Sequence, residues 1–374
     1  MLEGYARQIL PYLRTYKALG CETTVLCNSK LDVGYASRLA DHKVLAVCDT
    51  ERYEETEACV RELVCSGKFD VVVPMGDFAA TILAKNKAEF SKFAKIAVND
   101  EDRFLRALDK LQVMQVCMEN DIPCPKTLSE ISDLSQIDMS ALQFPLVVKP
   151  RADCGARGFH CFQTPEEFTA FARGIDLSGF VLQEYIPQSD RNMSCGLFID
   201  ADGTVKSSYI YISRRWYPLK GGTGTFNQLI DRPDIVAVCA KLANLMGLTG
   251  TVGFDFVDDP RDNIPKLLEI NPRVLACAKI CFEAGIDQAQ QLLELVLEQP
   301  VTAMSAANKT ISIRMSQIDL LWFLKSKDRF RAKPSWFSCK NTKDQTFSWD
   351  DPLPWFAFLL RGMGRMKKET KARQ

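Results

Sequence analysis

The chain has 374 residues, enough for two or three domains, and its 47% hydrophobic and 25% charged residues are those of an ordinary soluble globular protein. Forty-seven basic residues balance 47 acidic ones, so no net field favours nucleic acid; no apolar run is long enough to span a bilayer, and the N-terminus lacks a signal-peptide layout. With only His42 and His160 present, a multi-histidine zinc site is excluded, and any metal is expected on carboxylate and amide oxygens, which suits magnesium.

In chain order, the first hundred residues alternate helix and strand. Helical periodicity runs through "EGYARQILPYLRTYKALG" and "ERYEETEACVRELVCSG", closed by Gly20 and Gly67. "TTVLC", "KVLAV", "FDVVVPMGD" and "KIAVND" read as strands, with a helix from about Asp77. Such alternation predicts a parallel sheet covered by helices. Only Met1 and Leu2 precede the first helix, so the strand that should open the sheet is vestigial or cut short. Between 100 and 125, Leu108, Leu111, Met114 and Met118 make an apolar helical stripe that ends at Pro123 and Pro125. "FPLVVKPRADCGARGFHCF" predicts strand, glycine turn, strand; "PEEFTAFARGI" a helix; "GFVLQEYIP" a strand. Two hairpins follow, "MSCGLFIDADGTVKSSYIYISRR", turning at Asp202-Gly203, and "LTGTVGFDFVDDPRDNIPKLLEINPR". A helix spans about Asp287 to Glu298, and residues 301–374 are aromatic, basic and less regular.

Fourteen cysteines are scattered without a CxxC pair, and Cys27, Cys48, Cys117 and Cys239 sit inside apolar runs. They read as small hydrophobes in a reducing cytoplasm; Cys277 and Cys281, four apart, are the first pair to test for a reactive thiol.

The second hairpin carries the strongest chemical signal. Glu269 and Asn271, two apart on a strand, share a face. If the turn centres near Asp262, Asp255 stands opposite Glu269, although "VGFDFV" is otherwise a buried run. Adjacent carboxylates repel unless a cation lies between them, so the three oxygen-bearing side chains point to a divalent metal rather than a solvated hairpin. Lys149 ends the apolar run "FPLVVKP" and either snorkels to water or meets a fixed anion. Gly155 and Gly158 behind it allow backbone N–H groups to approach phosphate, though taken alone this stretch reads better as an ordinary exposed turn. Gln183 and Glu184 in "VLQEYIP" read as an edge strand able to meet an adenine edge, or as a plain hinge.

The order of these pieces resembles the ATP-grasp superfamily, over roughly residues 1 to 300. The carriers are a helix starting "DK", a strand ending in lysine, a glycine loop, "QEYI" and "FDF…LLEINPR". The chain looks most like the carbamoyl-phosphate-synthase-type and amino-acid-ligase-type branch. The resemblance implies a parallel-sheet α/β domain (1–99), then an ATP-grasp domain (100–300) made of a lid (about 145–182) and an antiparallel-sheet half, then an extension (301–374). It implies ATP phosphates held by Lys110 and Lys149 under Gly155, Arg157 and Gly158, and adenine held by Gln183, Glu184 and the backbone of Tyr185 and Ile186. Asp190 would take the ribose, and Asp255, Glu269 and Asn271 would hold one or two magnesium ions, with manganese as a substitute. Arg273 would face the γ-phosphate, and Arg214, Arg215 and Gly221 to Gly224 would capture a substrate carboxylate or phosphate. The implied activity joins a small-molecule carboxylate to an amine through an acyl phosphate. A silent ATP-binding sensor or scaffold, and a kinase on the same fold, are the competing readings. A homodimer is common among the look-alikes. At the C-terminus, Trp355, Phe356, Phe358 and Leu359 precede Arg361, Arg365, Lys367, Lys368, Lys371 and Arg373; packing on the body is favoured over a membrane-surface contact.

Overall fold

The computed structural model describes residues 1–48, 52–128, 130–152, 158–187, 192–219 and 222–372, with Ala141 and 364–372 described by backbone alone. The opening region runs α1 (Ile9–Ala18), β1 (Thr24–Cys27), α2 (Val33–Ala36), β2 (His42–Leu45), α3 (Tyr53–Cys65), β3 (Val71–Val72), α4 (Asp77–Lys85), α5 (Lys87–Phe90) and β4 (Lys95–Ile96). β1 pairs with β2 and β3 with β4, both in parallel. The missing opening strand is supplied by residues 1–4, which run between the two pairs: Leu26 N–H donates to Met1 O (2.9 Å), Leu2 N–H to Val73 O (3.0 Å) and Gly4 N–H to Leu26 O (2.8 Å). One parallel layer results. It also shortens the expected first helix. Glu3 turns to φ 62°, residues 5–8 form a turn, and α1 begins only at Ile9, with Pro11 in its first turn, where a missing N–H is tolerated. Tyr12, Leu13, Val25 and Cys27 are buried beneath this layer.

The single helical stripe expected after residue 100 is two helices, α6 (Glu101–Leu108) and α7 (Lys110–Glu119). Asp109 leaves the helical region and caps α7, accepting from Leu111 and Gln112 N–H. The break turns Met118 outward and sets Lys110 at the first position of a new helix. The segment expected as the lid carries β5 (Leu146–Pro150), β6 (His160–Phe162), α8 (Pro165–Ala172) and β7 (Phe180–Glu184), with sheet order β6-β5-β7. Gly158 has φ 65°, and a Cβ there would meet the Pro150 ring at 2.8 Å, so this turn requires glycine.

β8 (Asn192–Ile199), β9 (Val205–Tyr217), β10 (Thr223–Ile230), α9 (Pro233–Leu245), β11 (Gly250–Asp258), β12 (Pro265–Asn271), α10 (Lys279–Glu283), α11 (Gln288–Val296), β13 (Ser312–Arg314), α12 (Ser316–Lys325), β14 (Thr342–Asp344) and α13 (Leu353–Ala372) complete the chain. The large sheet has the order β12-β11-β8-β9-β10-β13-β14 and is antiparallel except for its last pair. One face packs Cys195, Ile210, Ile212, Phe254 and Ile270 against α7 and α9. The residues after 300 are therefore part of this sheet, through β13 and β14. They also bind the first layer. Arg361 pairs with the fully buried Asp32 and lies over the Tyr5 ring, and Asp351 accepts from Ser37 Oγ (2.5 Å) and Arg38 N–H (3.1 Å). Trp355 Nε1 donates to Ser316 Oγ (2.8 Å) and Phe358 is half-buried, whereas Phe356, expected to pack inward, is exposed together with Leu353, Leu360 and Met363 on the outer side of α13. The side chains of Arg365, Lys367, Lys368 and Lys371, and Arg373 altogether, lie outside the described residues.

Among the described residues no helix is long and apolar enough to cross a membrane. The described cysteines are unpaired. Cys277 and Cys281 are not reactive thiols: both are buried, and burial pushes Cys277 up to about 12 and Cys281 well above its ordinary range.

Arg215, expected at a substrate loop, is instead a structural ion. It is 1% exposed, its Nε and Nη2 donate to Asp319 at 2.8 and 2.9 Å, and its guanidinium lies 4.1 Å from the Phe226 ring centroid. Asp319 also accepts from Thr225 Oγ1 (2.8 Å). Asp319→Ala would leave the buried guanidinium without a counter-charge, and the expected loss is about 3–5 kcal/mol of unfolding free energy in a urea titration. A loss within a few tenths would contradict the structural role.

Candidate ATP and metal site

β11 and β12 form the hairpin in the register the sequence suggests, with Asp255 opposite Glu269 and Gly253 opposite Asn271. A bulge after Asp255 takes up Leu268 and restores Leu267 to the core face, so the hairpin keeps both a dry face and a carboxylate face. Ser194 Oγ donates to Asp255 Oδ1 (2.5 Å) and Asn271 Nδ2 to Asp255 Oδ2 (2.9 Å). Burial first, and then the neighbouring Glu269 carboxylate, pushes the Asp255 carboxyl up to about 6, despite these donors and Arg273. Lys110 Nζ lies 3.4 Å from Glu269 Oε2. Lys149 reaches the same spot from the lid; burial, with Lys110 adding and Glu269 opposing, brings its amine down to about 8. Two lysines and two carboxylates thus converge from three separate elements.

Arg273 donates to Asn271 Oδ1 (3.0 Å) and grips Asp77 at 2.8 and 2.7 Å. Burial works against its charge, but Asp77 outweighs burial and raises its pKa. Asp77 opens α4, at the carboxyl end of β3, and sequence reading missed it. Its neighbour Glu3, fully buried, accepts from Tyr5 Oη (3.0 Å) and Ala79 N–H (3.3 Å). The signal available for Asp77 was its place just after an apolar strand, the edge where parallel sheets bind ligands.

Behind Lys110, Arg151 clasps Asp109 (2.6 Å), which caps α7, and Glu130 (2.6 Å). The lid end is thereby fastened to the helix that presents Lys110.

The hinge differs from the expectation. The outer edge of β7 is covered, not open: Leu128 N–H donates to Leu182 O (3.0 Å) and Glu184 N–H to Lys126 O (2.9 Å). Gln183 is buried and donates to Thr127 Oγ1 (2.8 Å), so its side chain is committed to this packing. Glu184 accepts from Lys126 N–H (2.9 Å) and Arg261 Nη2 (2.9 Å), and Tyr185 N–H is taken by Pro145 O (3.2 Å). Ile186 is buried beside them. Nor does Arg214 join the cluster: it is exposed, donates to Gln228 Oε1 (3.3 Å), and by strand alternation shares the face of Ile210 and Ile212, opposite Ser194 and Tyr211. Gly155, Arg157, Asp190 and Gly221 lie outside the described residues.

Among the described residues no three His, Cys, Asp or Glu side chains gather as a metal cluster. The donor set here is two carboxylates and one amide, hard oxygens of the kind magnesium takes alongside water and phosphate.

Residues 107–277 match the family model of the ATP-grasp domain. D-aspartate ligase of Enterococcus faecium (strain Aus0004) is 27% identical over 224 residues, 54% of this chain and 53% of the relative, so the chain spans about half the length of the curated relative it matches. The fold resembles the biotin carboxylase domain of Hydrogenobacter thermophilus 2-oxoglutarate carboxylase, solved with MgADP (TM-score 0.65, 14% identity, 79% of this chain and 68% of that one). It also resembles L-amino acid ligase from Bacillus licheniformis (TM-score 0.61, 17% identity, 79% and 72%). Residues 107–277 are thus ATP-grasp-like in sequence, and the fold as a whole resembles these two solved structures.

Proposed function

We propose that the protein is an ATP- and magnesium-dependent ligase that activates a substrate carboxylate as an acyl phosphate and joins it to an amine. The observation that carries this reading is the opposition of Asp255 and Glu269 with Asn271 beside them, flanked by Lys110 and Lys149. Lys110 faces Glu269 across 3.4 Å, and a magnesium–nucleotide complex would set a cation between the two carboxylates and phosphate oxygens before the two lysines. Asp255, Glu269 and Asn271 would hold the metal, and Lys110 and Lys149 the phosphates. Bound there, Mg-ATP would supply the phosphoryl group and the charge neutralisation that carboxylate activation requires.

The chain's own contribution is orientation and exclusion of water. Asn271 is held between Asp255 and Arg273, so its amide is fixed in direction. Arg273 is held by Asp77 and needs little reorganisation to face developing negative charge. Lys149, on the strand expected as the lid, would meet the phosphates from the side opposite the hairpin, where it would help to keep water from the reacting carboxylate. Glu184 and the hinge backbone beside Ile186 would border the adenine. The matched ligases support a carboxylate and an amine as substrates, and the D-aspartate ligase supports an amino-acid carboxylate.

The test is phosphate release from ATP with magnesium and pooled amino acids and amines. Ligation requires both a carboxylate and an amine; a kinase would consume ATP with one acceptor and free no phosphate. Glu269→Gln is expected to lower turnover by at least about 100-fold while leaving thermal unfolding in place. Unchanged turnover would remove the metal assignment. A second prediction follows from Asp255. A carboxyl whose folded pKa is about 6 against an ordinary 3.8 destabilises the metal-free fold above pH 6, and the penalty fades as pH falls from 6 towards 4. Metal-free Asp255→Asn should therefore be more stable than wild type at pH 8, by roughly 3 kcal/mol at most, and nearly equal to it at pH 4. Magnesium should stabilise only the wild type, and equal pH profiles in denaturation would contradict the pairing.

A further inference from the structure

The first layer presents the carboxyl ends of its strands to the large sheet, and three charged side chains from that edge reach the neighbourhood of the hairpin. Asp77 is ion-paired with Arg273, while Glu3 accepts from Tyr5 and Ala79 through Oε1 and leaves Oε2 without a partner. The third, Arg7, has no carboxylate partner. It stands in the turn between the strand of residues 1–4 and α1, and its Nε is buried with no hydrogen-bond partner. Among the described residues no carboxylate lies within ion-pairing distance of it. The titratable groups in its electrostatic reach are Cys277 and Tyr211, and burial works against its charge. Neither neighbour supplies a counter-charge near neutral pH, because burial pushes the thiol up to about 12 and the phenol well above its usual range. Arg7 is half-buried, and a guanidinium whose Nε is withdrawn from water without an anion is held at a cost.

Its position says what the anion belongs to. Asp255, Ser194 and Tyr211 form one cross-strand row over β11, β8 and β9. Neighbouring strands are about 4.8 Å apart, so Tyr211 stands about 10 Å from the metal-facing carboxylate, on the same side of the sheet. Beside it lie buried polar groups at the edge of an apolar cluster: Ser213 Oγ donates to Asn227 Oδ1 (2.6 Å), and Asn227 Nδ2 lies 3.3 Å from Cys277 Sγ. A small molecule bridging that span presents one group to the hairpin and another to Arg7.

We propose that Arg7 anchors a second carboxylate on the substrate, so that the substrate is a dicarboxylate with its two acid groups a few carbons apart, one offered for activation and the other held by Arg7. This deepens the ligase reading and rests on it for the fate of the first carboxylate. A guanidinium fork matches a carboxylate in two parallel hydrogen bonds, which fixes orientation as well as charge.

The test is calorimetric titration of the full chain, loaded with magnesium and a non-hydrolysable ATP analogue. The probes are L- and D-aspartate, L- and D-glutamate and succinate against alanine, 2-aminobutyrate and butyrate. Wild type should bind at least one dicarboxylate about tenfold or more tighter than its monocarboxylate counterpart. Arg7→Met should erase that preference and Arg7→Lys should keep part of it, with nucleotide affinity the same in all three proteins. The proposal is overturned if wild type prefers no dicarboxylate, if Arg7→Met retains the preference, or if Arg7→Met weakens nucleotide binding as well. Should the Arg7-dependent preference hold while no amine ever yields phosphate, the ligase reading falls and the anion site stands.

Discussion

Two carboxylates set directly opposite one another across a hairpin are the constraint from which the rest of this site follows. Asp255 and Glu269 cannot both carry charge comfortably in a half-buried place, and the carboxyl of Asp255 is raised by burial first and by that conflict second. Every neighbour answers to it. Ser194 and Asn271 donate to Asp255, Lys110 approaches Glu269, and Lys149 enters from a different sheet. The bulge lets the same hairpin keep Leu267 and Ile270 in the core while both acids look outward. Charge repulsion held in place by a rigid ladder is a way of storing affinity for a cation.

The surroundings divide the labour between fixed and movable parts. The large sheet fixes the acids, and the first layer fixes Arg273 through Asp77. Lys149 rides on a three-stranded sheet of its own, joined to the body through the Arg151–Asp109 clasp and the covered edge of β7. On the proposed reading, Lys149 from this sheet and Lys110 from α7 would meet one nucleotide from two sides.

What the sequence discloses and what it withholds have a common physical cause. An aspartate inside "VGFDFV" and the Glu269–Asn271 spacing are local patterns, and strand alternation turns local spacing into a shared face. Lys149 is legible for the same reason. Asp77, Glu3 and Arg7 are not, because they reach the site across a junction between distant segments and carry no periodic signature. Arg214 and Arg215 are adjacent and chemically alike, yet alternation sends one to solvent and buries the other against Asp319, which sits over a hundred positions on. The hinge is a similar case: Lys126 to Leu128, which cover β7, lie more than fifty positions before it, so the strand looks open when read alone. The helix start at Asp109-Lys110 is legible in "DK", since a residue able to cap directly before Lys110 is a helix-start signal, whereas the separate helix before it is not.

The contacts between the end of the chain and its beginning set the cooperativity of the whole. Arg361 reaches Asp32 across 329 positions, and Asp351 ties down Ser37 and Arg38. The first layer is small, and its strands are only two to four residues long. Clamped by a segment that itself continues the large sheet, it cannot fray as an independent module without also releasing α13. The two ends of the chain are thus joined directly, and the fold is closed upon itself by contacts between its first layer and its last helix.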